Sequence, residues 1–75
     1  MVLVKQEMSA ISITKSLLSD EAYAEIRRAL ILGELEPGQR ISEPELALRY
    51  KTSRSPIREA LVRLELEGFV ERTPS

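Results

Sequence analysis

Apolar residues return at helical spacing in three stretches of the chain. Ala22, Ile26, Ala29 and Leu30 form one stripe and predict a first helix from Asp20 to about Leu32. Ser19 or Asp20 can cap that helix, and Asp20, Glu21 and Glu25 place negative charge at its start, where the helix dipole favours it. Gly33 supplies the expected stop. Leu46, Ala47 and Tyr50 mark the buried side of a second helix, from about Glu43 to Tyr50. Ser42-Glu43-Pro44-Glu45 opens it as a capping box, with Ser first, Glu three positions on and proline inside the first turn. Ile57, Ala60, Leu61 and Leu64 fall within about a third of the circumference of a third helix. It starts near Ser53 or Ser55, both able to cap it ahead of Pro56, and runs to Glu67 with Gly68 as its terminator. Ser55, Glu59 and Val62 take its far side, with Arg58 and Arg63 flanking.

The connections are short. Pro37-Gly38 fits the centre of a type II turn with glycine at positive φ, and Arg40-Ile41 can pair briefly as a strand. Lys51-Thr52-Ser53 leaves room only for a tight helix–helix corner. Phe69 to Thr73 alternates like a strand and stops at Pro74-Ser75. A strand needs a ladder partner. Residues 40–42 could supply part of one, and the sequence reads as ending inside a hairpin whose second arm is missing, as a fragment or truncated chain would. At the other end, Val2, Val4, Ile11 and Ile13 alternate briefly without a sustained period, which fits a short strand or an extended arm. The expectation is a flexible N-terminal arm over 1–16, followed by one domain over 17–75.

Composition narrows the chemistry. Seventy-five residues make one small domain with a thin core. An apolar fraction of 43% and a charged fraction of 31% are ordinary for a soluble globular protein, and exclude collagen-like, mucin-like or strongly disordered chains. With no Cys there is no disulfide framework, thiolate zinc site or cysteine nucleophile; with no His, imidazole ligands and imidazole acid–base catalysis go too. Only carboxylates remain as metal ligands, and no calcium-type loop spaces them. The reading is therefore a non-enzyme with no cofactor in this chain. No apolar run approaches the roughly 18 residues of a membrane span, and Met1-Val2-Leu3-Val4-Lys5 does not begin a signal peptide. A cytoplasmic address follows by elimination.

Charge changes the picture more. The net value of −1 argues mildly against a nucleic-acid partner. Its distribution argues the other way, because Arg49, Lys51, Arg54, Arg58 and Arg63 face only Glu59 within residues 49–63, a local net of +4. A short helix, a tight corner and a second helix with a polar outer face make a helix-turn-helix. The major groove, about 12 Å wide, admits one helix. The first helix of such a pair braces on the backbone while the first turns of the second reach base edges. Ser53, Arg54, Ser55 and Arg58 occupy those turns, with Arg49 and Lys51 just before them. Arginine can grip guanine with two donors, and serine can bond bases or phosphate. The plainer alternative is a solvated basic face. Tyr23 and Tyr50 read as packing residues, since aromatics at 4% are too few to build a single-strand stacking groove.

Two stretches bring a family into view. Ile31-Leu32-Gly33-Glu34-Leu35-Glu36-Pro37-Gly38-Gln39-Arg40-Ile41-Ser42-Glu43 is similar to one signature of GntR-family transcription regulators. Ser53-Arg54-Ser55-Pro56-Ile57-Arg58-Glu59-Ala60-Leu61, with Leu64-Glu65, Glu67-Gly68 and Val70, closely resembles another. The Pro-x-Arg-Glu-Ala-Leu form is most like the FadR subfamily, and the resemblance covers about residues 20–74. It implies a mainly helical, three-helix winged helix-turn-helix with a short or incomplete β-wing. It also implies sequence-specific double-stranded DNA binding, with a recognition helix over about 53–67 in the major groove. Family members bind palindromic operators as dimers, usually as repressors, and a larger C-terminal domain dimerises and senses a small carboxylate metabolite; the expectation from the resemblance is that this chain lacks that domain and the second wing strand. Carried over by position, Ser53, Arg54, Ser55 and Arg58 match the family's DNA contacts, and the wing tip would reach the minor groove or its backbone. Three residues depart from the pattern: Pro44 stands where many relatives have a DNA-contacting arginine, Lys51 where the corner usually has glycine, and Thr52 where it has valine. A lysine held at positive φ would carry strain of about 1 kcal/mol or more. The rival classes are a helical protein-interaction module without sequence-specific DNA binding, whose third helix meets an acidic surface, and a truncation product without regulatory function.

Overall fold

The computed structural model describes residues 1–5 and 17–73. In chain order they form β1 (Val2–Val4), α1 (Leu17–Leu32), β2 (Arg40–Ile41), α2 (Glu43–Arg49), α3 (Arg54–Leu66) and β3 (Val70–Arg72). The result is three helices with a small three-stranded antiparallel sheet, the mainly helical winged helix-turn-helix that the sequence predicts.

α1 begins at Leu17, earlier than its capping signals suggest. Ser19 and Asp20 lie inside the helix because packing and an ion pair use them instead. Ser19 is buried on the face that carries Ala22, Tyr23 and Ile26, and the Asp20 carboxylate accepts a hydrogen bond from Arg63 Nη1 at 3.1 Å. The expected stripes of α1 and α3 are buried, as are Leu46 and Ala47 of α2, while Tyr50, the C-cap of α2, is only partly buried; α1 packs chiefly on α3. Ile26, Leu35, Leu46, Ile57, Leu61, Leu64 and Phe69 form the centre of the core.

The sheet overturns one expectation. Its order is β2-β1-β3, so the N-terminal residues make the central strand. Val2 sits opposite Ile41 and Arg72, Leu3 opposite Arg40 and Glu71, and Val4 opposite Val70. The flexible arm expected over 1–16 therefore does not hold for Val2–Val4. Val2 and Val4 point into the core, 2% and 4% exposed, and ladders on both sides satisfy the strand's backbone. β3 likewise finds its partner in β1 rather than in residues 40–42. The rest of the expected arm, with Ile11 and Ile13, lies outside the described residues.

The expected turn at Pro37-Gly38 is present. Gly38 has φ 87°, the Gln39 amide donates to the Glu36 carbonyl at 3.0 Å, and the Gly38 amide donates to the Val4 carbonyl at 2.8 Å. The turn is thereby tied to the central strand.

Candidate nucleic-acid interface

α2 starts from the predicted capping box. The Ser42 hydroxyl accepts from the Glu45 amide at 3.2 Å, and the Ser42 amide donates to Glu45 Oε1 at 2.9 Å. The bond from the Ser42 amide, and then that of its hydroxyl, hold the Glu45 carboxyl below its ordinary 4.5. Pro44 is exposed in this first turn and brings no cation to it.

The corner after α2 has a defined geometry. The Thr52 amide donates to the Ala47 carbonyl at 3.0 Å and the Lys51 amide to the Leu48 carbonyl at 3.3 Å, the paired bonds of a Schellman motif. That motif requires a left-handed residue after the cap, and here it is Lys51, with φ 56°. An L side chain in that conformation costs roughly 1–2 kcal/mol. α1 and α3 end in the same paired bonds but place Gly33 and Gly68 at the equivalent position. Thr52 is half-buried, and a hydroxyl-bearing side chain is a weaker apolar anchor there than valine. Tyr50 packs partly against the core; burial raises its hydroxyl above 10.0, against the opposing charge of Arg49.

α3 is seated by its inner face. Pro56, Ile57, Ala60, Leu61 and Leu64 are all buried, which fixes the rotation of the helix. Its outer face then presents Arg54, Ser55 and Arg58 to solvent. Ser53 occupies the cap position, yet its hydroxyl makes no capping bond, and Ser55 lies within the helix. The capping expected of these serines is met by Ser53 in position alone and is not met by Ser55, because the helix already starts at Arg54. The start of α3, with no side-chain cap and with Ser53, Arg54 and Ser55 exposed, is the positive end of the helix dipole, a place suited to phosphate.

All six residues singled out from the sequence are exposed: Arg49, Lys51, Ser53, Arg54, Ser55 and Arg58. They follow one another through the last turn of α2, the corner and the first turns of α3. Arg49, Lys51 and Arg54 make no salt bridge to any described residue. Arg58 keeps its side chain 58% exposed while its Nε lies 3.3 Å from Glu43 Oε1. The fifth cation of the basic segment behaves differently. Arg63 turns inward, donates to Asp20 and stacks its guanidinium 3.9 Å from the centre of the Tyr23 ring. Tyr23 itself donates a hydrogen bond to Glu67 Oε1, so both arginine and tyrosine belong to the α1–α3 packing.

Sequence reasoning overlooked two polar participants. Glu43, whose side chain is 14% exposed, meets Arg58 and also Arg72, the latter at 3.6 Å. The sequence marks Glu43 only as the start of the second helix and part of a family stretch, and Arg72 only as a strand residue. Neither spacing signals a contact, because the partners come from three separate elements. Among the described residues, no three Asp or Glu side chains gather as a metal site.

Comparison with known proteins agrees with this geometry. Residues 18–75 match the family model for bacterial regulatory proteins of the gntR family. The Nta operon transcriptional regulator of Aminobacter aminovorans is 60% identical over 37 residues, covering 49% of this chain and 18% of that protein. The HTH-type transcriptional repressor RspR of Escherichia coli (strain K12) is 32% identical over 57 residues, covering 76% of this chain and 25% of the repressor. The HTH-type transcriptional regulator YdhC of Bacillus subtilis (strain 168) is 41% identical over 49 residues, covering 65% and 22% respectively. The chain thus spans a quarter or less of the length of these relatives. No solved structure matches it significantly.

Proposed function

The chain belongs to the gntR family of bacterial regulatory proteins, and from that premise we propose that it is the DNA-reading domain of a transcription regulator. It binds double-stranded DNA sequence-specifically, with α3 in the major groove. One observation carries this reading. The cations of the α2–α3 corner stand exposed beside a helix whose opposite face is fully buried, so they are held in place without being neutralised. Arg54 and Arg58 are the base or phosphate readers, and Ser53 and Ser55 touch base edges or phosphate. Arg49 and Lys51 supply phosphate charge. Pro44 removes a cation from the start of α2, which shifts the weight of recognition onto α3.

We read the form of the α3 motif as that of the FadR subfamily, which it resembles most. We read the protein as a cytoplasmic, metabolite-responsive repressor that pairs through a further C-terminal domain, which also takes the effector, and binds a palindromic operator. Support for these parts comes from the resemblance and from relatives at least four times as long.

Selection from a random duplex pool at two salt concentrations tests the central reading. The expected result is enrichment of a half-site, or a palindrome of it, that survives the higher salt. Binding that falls steeply with salt and enriches nothing would mean a merely electrostatic contact and would overturn it.

A further inference from the structure

Glu43 is the first residue of α2, yet the start of that helix does not depend on it, because Ser42 and Glu45 complete the capping box between them. Its carboxylate is engaged elsewhere. Oε1 lies 3.3 Å from Arg58 Nε, and Oε2 lies 3.6 Å from Arg72 Nη1. Arg72 in turn directs its Nε to Glu65 Oε1 at 3.3 Å. One carboxylate, 14% exposed, therefore joins the start of α2, the outer face of α3 and strand β3.

Stability is a poor explanation for the Arg58 arm of this junction. An ion pair whose cation is more than half exposed contributes little to folding, since solvent screens it. Orientation is a better one. A guanidinium held at Nε keeps its two terminal nitrogens free and directed away from the anchor, and those two form the fork that matches guanine or phosphate. The terminal nitrogens of Arg58 make no hydrogen bond to a described residue.

We propose that Glu43 is a positioning residue for sequence discrimination. It holds Arg58 by Nε, presents its forked end to DNA, and sets a negative charge beside the reading surface that disfavours binding without the correct base partner. The Arg72 arm fixes the carboxylate by tying it to the sheet. This inference rests on the reading of Arg58 as a DNA contact.

The test uses Glu43→Gln in the whole chain, with affinities measured for the selected duplex and a scrambled duplex at two salt concentrations. The ratio of the two affinities is expected to fall about tenfold, the weight of one bidentate base contact. Scrambled-duplex affinity should hold or rise as a negative charge is removed. In an Arg58→Ala background the same substitution should change the ratio about twofold or less, because the two residues act as a unit. Glu43→Asp, which keeps the charge, should retain most of the discrimination. Equal weakening of both duplexes, an unchanged ratio, or an undiminished effect without Arg58 would each overturn the proposal. A Glu43→Gln chain that fails to fold would overturn it as well, because the role assigned is recognition and not stability. Failure of the underlying reading looks different: the unmodified chain would itself show no discrimination, and both ideas would fall.

Discussion

Arg54 and Arg63 stand on the same helix with the same charge and end in opposite situations. Arg63 is folded into the protein, its guanidinium against the Tyr23 ring and its Nη1 on Asp20. Arg54 projects from the first turn of α3 with no salt bridge to any described residue. The contrast extends beyond this pair. Away from the corner, Arg27 lies over the Phe69 ring at 5.5 Å, and Arg72, though exposed, is shared between Glu43 and Glu65. At the corner, Arg49 and Lys51 have no such partners. A near-neutral protein thus keeps a positive surface by engaging some of its cations with its own side chains and leaving one cluster open. Local charge counted along the chain cannot separate the two groups; the faces of α1 and α3 do.

Removing Arg63 should have the largest effect. Arg63→Ala takes away a ring contact and a partly buried ion pair, and is expected to lower stability by about 2–3 kcal/mol. Urea unfolding would measure it, while the ratio of selected to scrambled duplex affinity stays the same. Loss of discrimination without loss of stability would break the division. Arg54→Ala is the mirror experiment. It should cost about 1–2 kcal/mol of specific binding and leave the unfolding curve within about 0.5 kcal/mol of the original.

Lys51 joins both sides of the comparison, since it is exposed for DNA yet strained in the fold. Relief of the left-handed conformation by Lys51→Gly, less the extra freedom glycine gives the unfolded chain, should stabilise by about 0.5–1 kcal/mol. The same substitution should weaken all duplexes alike and flatten the salt dependence by about one unit of slope. Altered base preference with an unchanged slope would contradict its assignment to phosphate.

The smallest effect concerns acid. The Glu45 carboxyl is lowered in the fold, so its bonds to Ser42 stabilise the protein above the unfolded value of 4.5 and are lost as pH falls below it. Glu45→Gln, which can preserve the shape of the box, should flatten that limb of the stability profile. A steeper acid limb in the variant would show the sign to be wrong.

Much of this architecture is written in local sequence. The apolar stripes placed three helices, and Gly33, Gly38 and Gly68 all adopt the positive φ their turns require. The candidate DNA residues were equally legible, because a buried stripe of Ile57, Ala60, Leu61 and Leu64 dictates which side chains must face out. What escaped was set by distant partners. Val2-Leu3-Val4 looks like any short apolar arm until Ile41 and Val70 flank it across the sheet. Ser19 and Asp20 carry good capping chemistry, and only the approach of α3 shows that burial and Arg63 claim them first. Glu43 belongs with these. Its role depends on where α2, α3 and β3 meet, which no helical period encodes.

The most direct measurement is a titration of the isotope-labelled chain with the selected duplex, following backbone amide signals by NMR. The account predicts that the largest shifts fall between Lys51 and Arg58, with α1 around Tyr23 and the Arg63 region nearly unmoved. Largest shifts on α1 or on the sheet, with the α2–α3 corner unchanged, would contradict it.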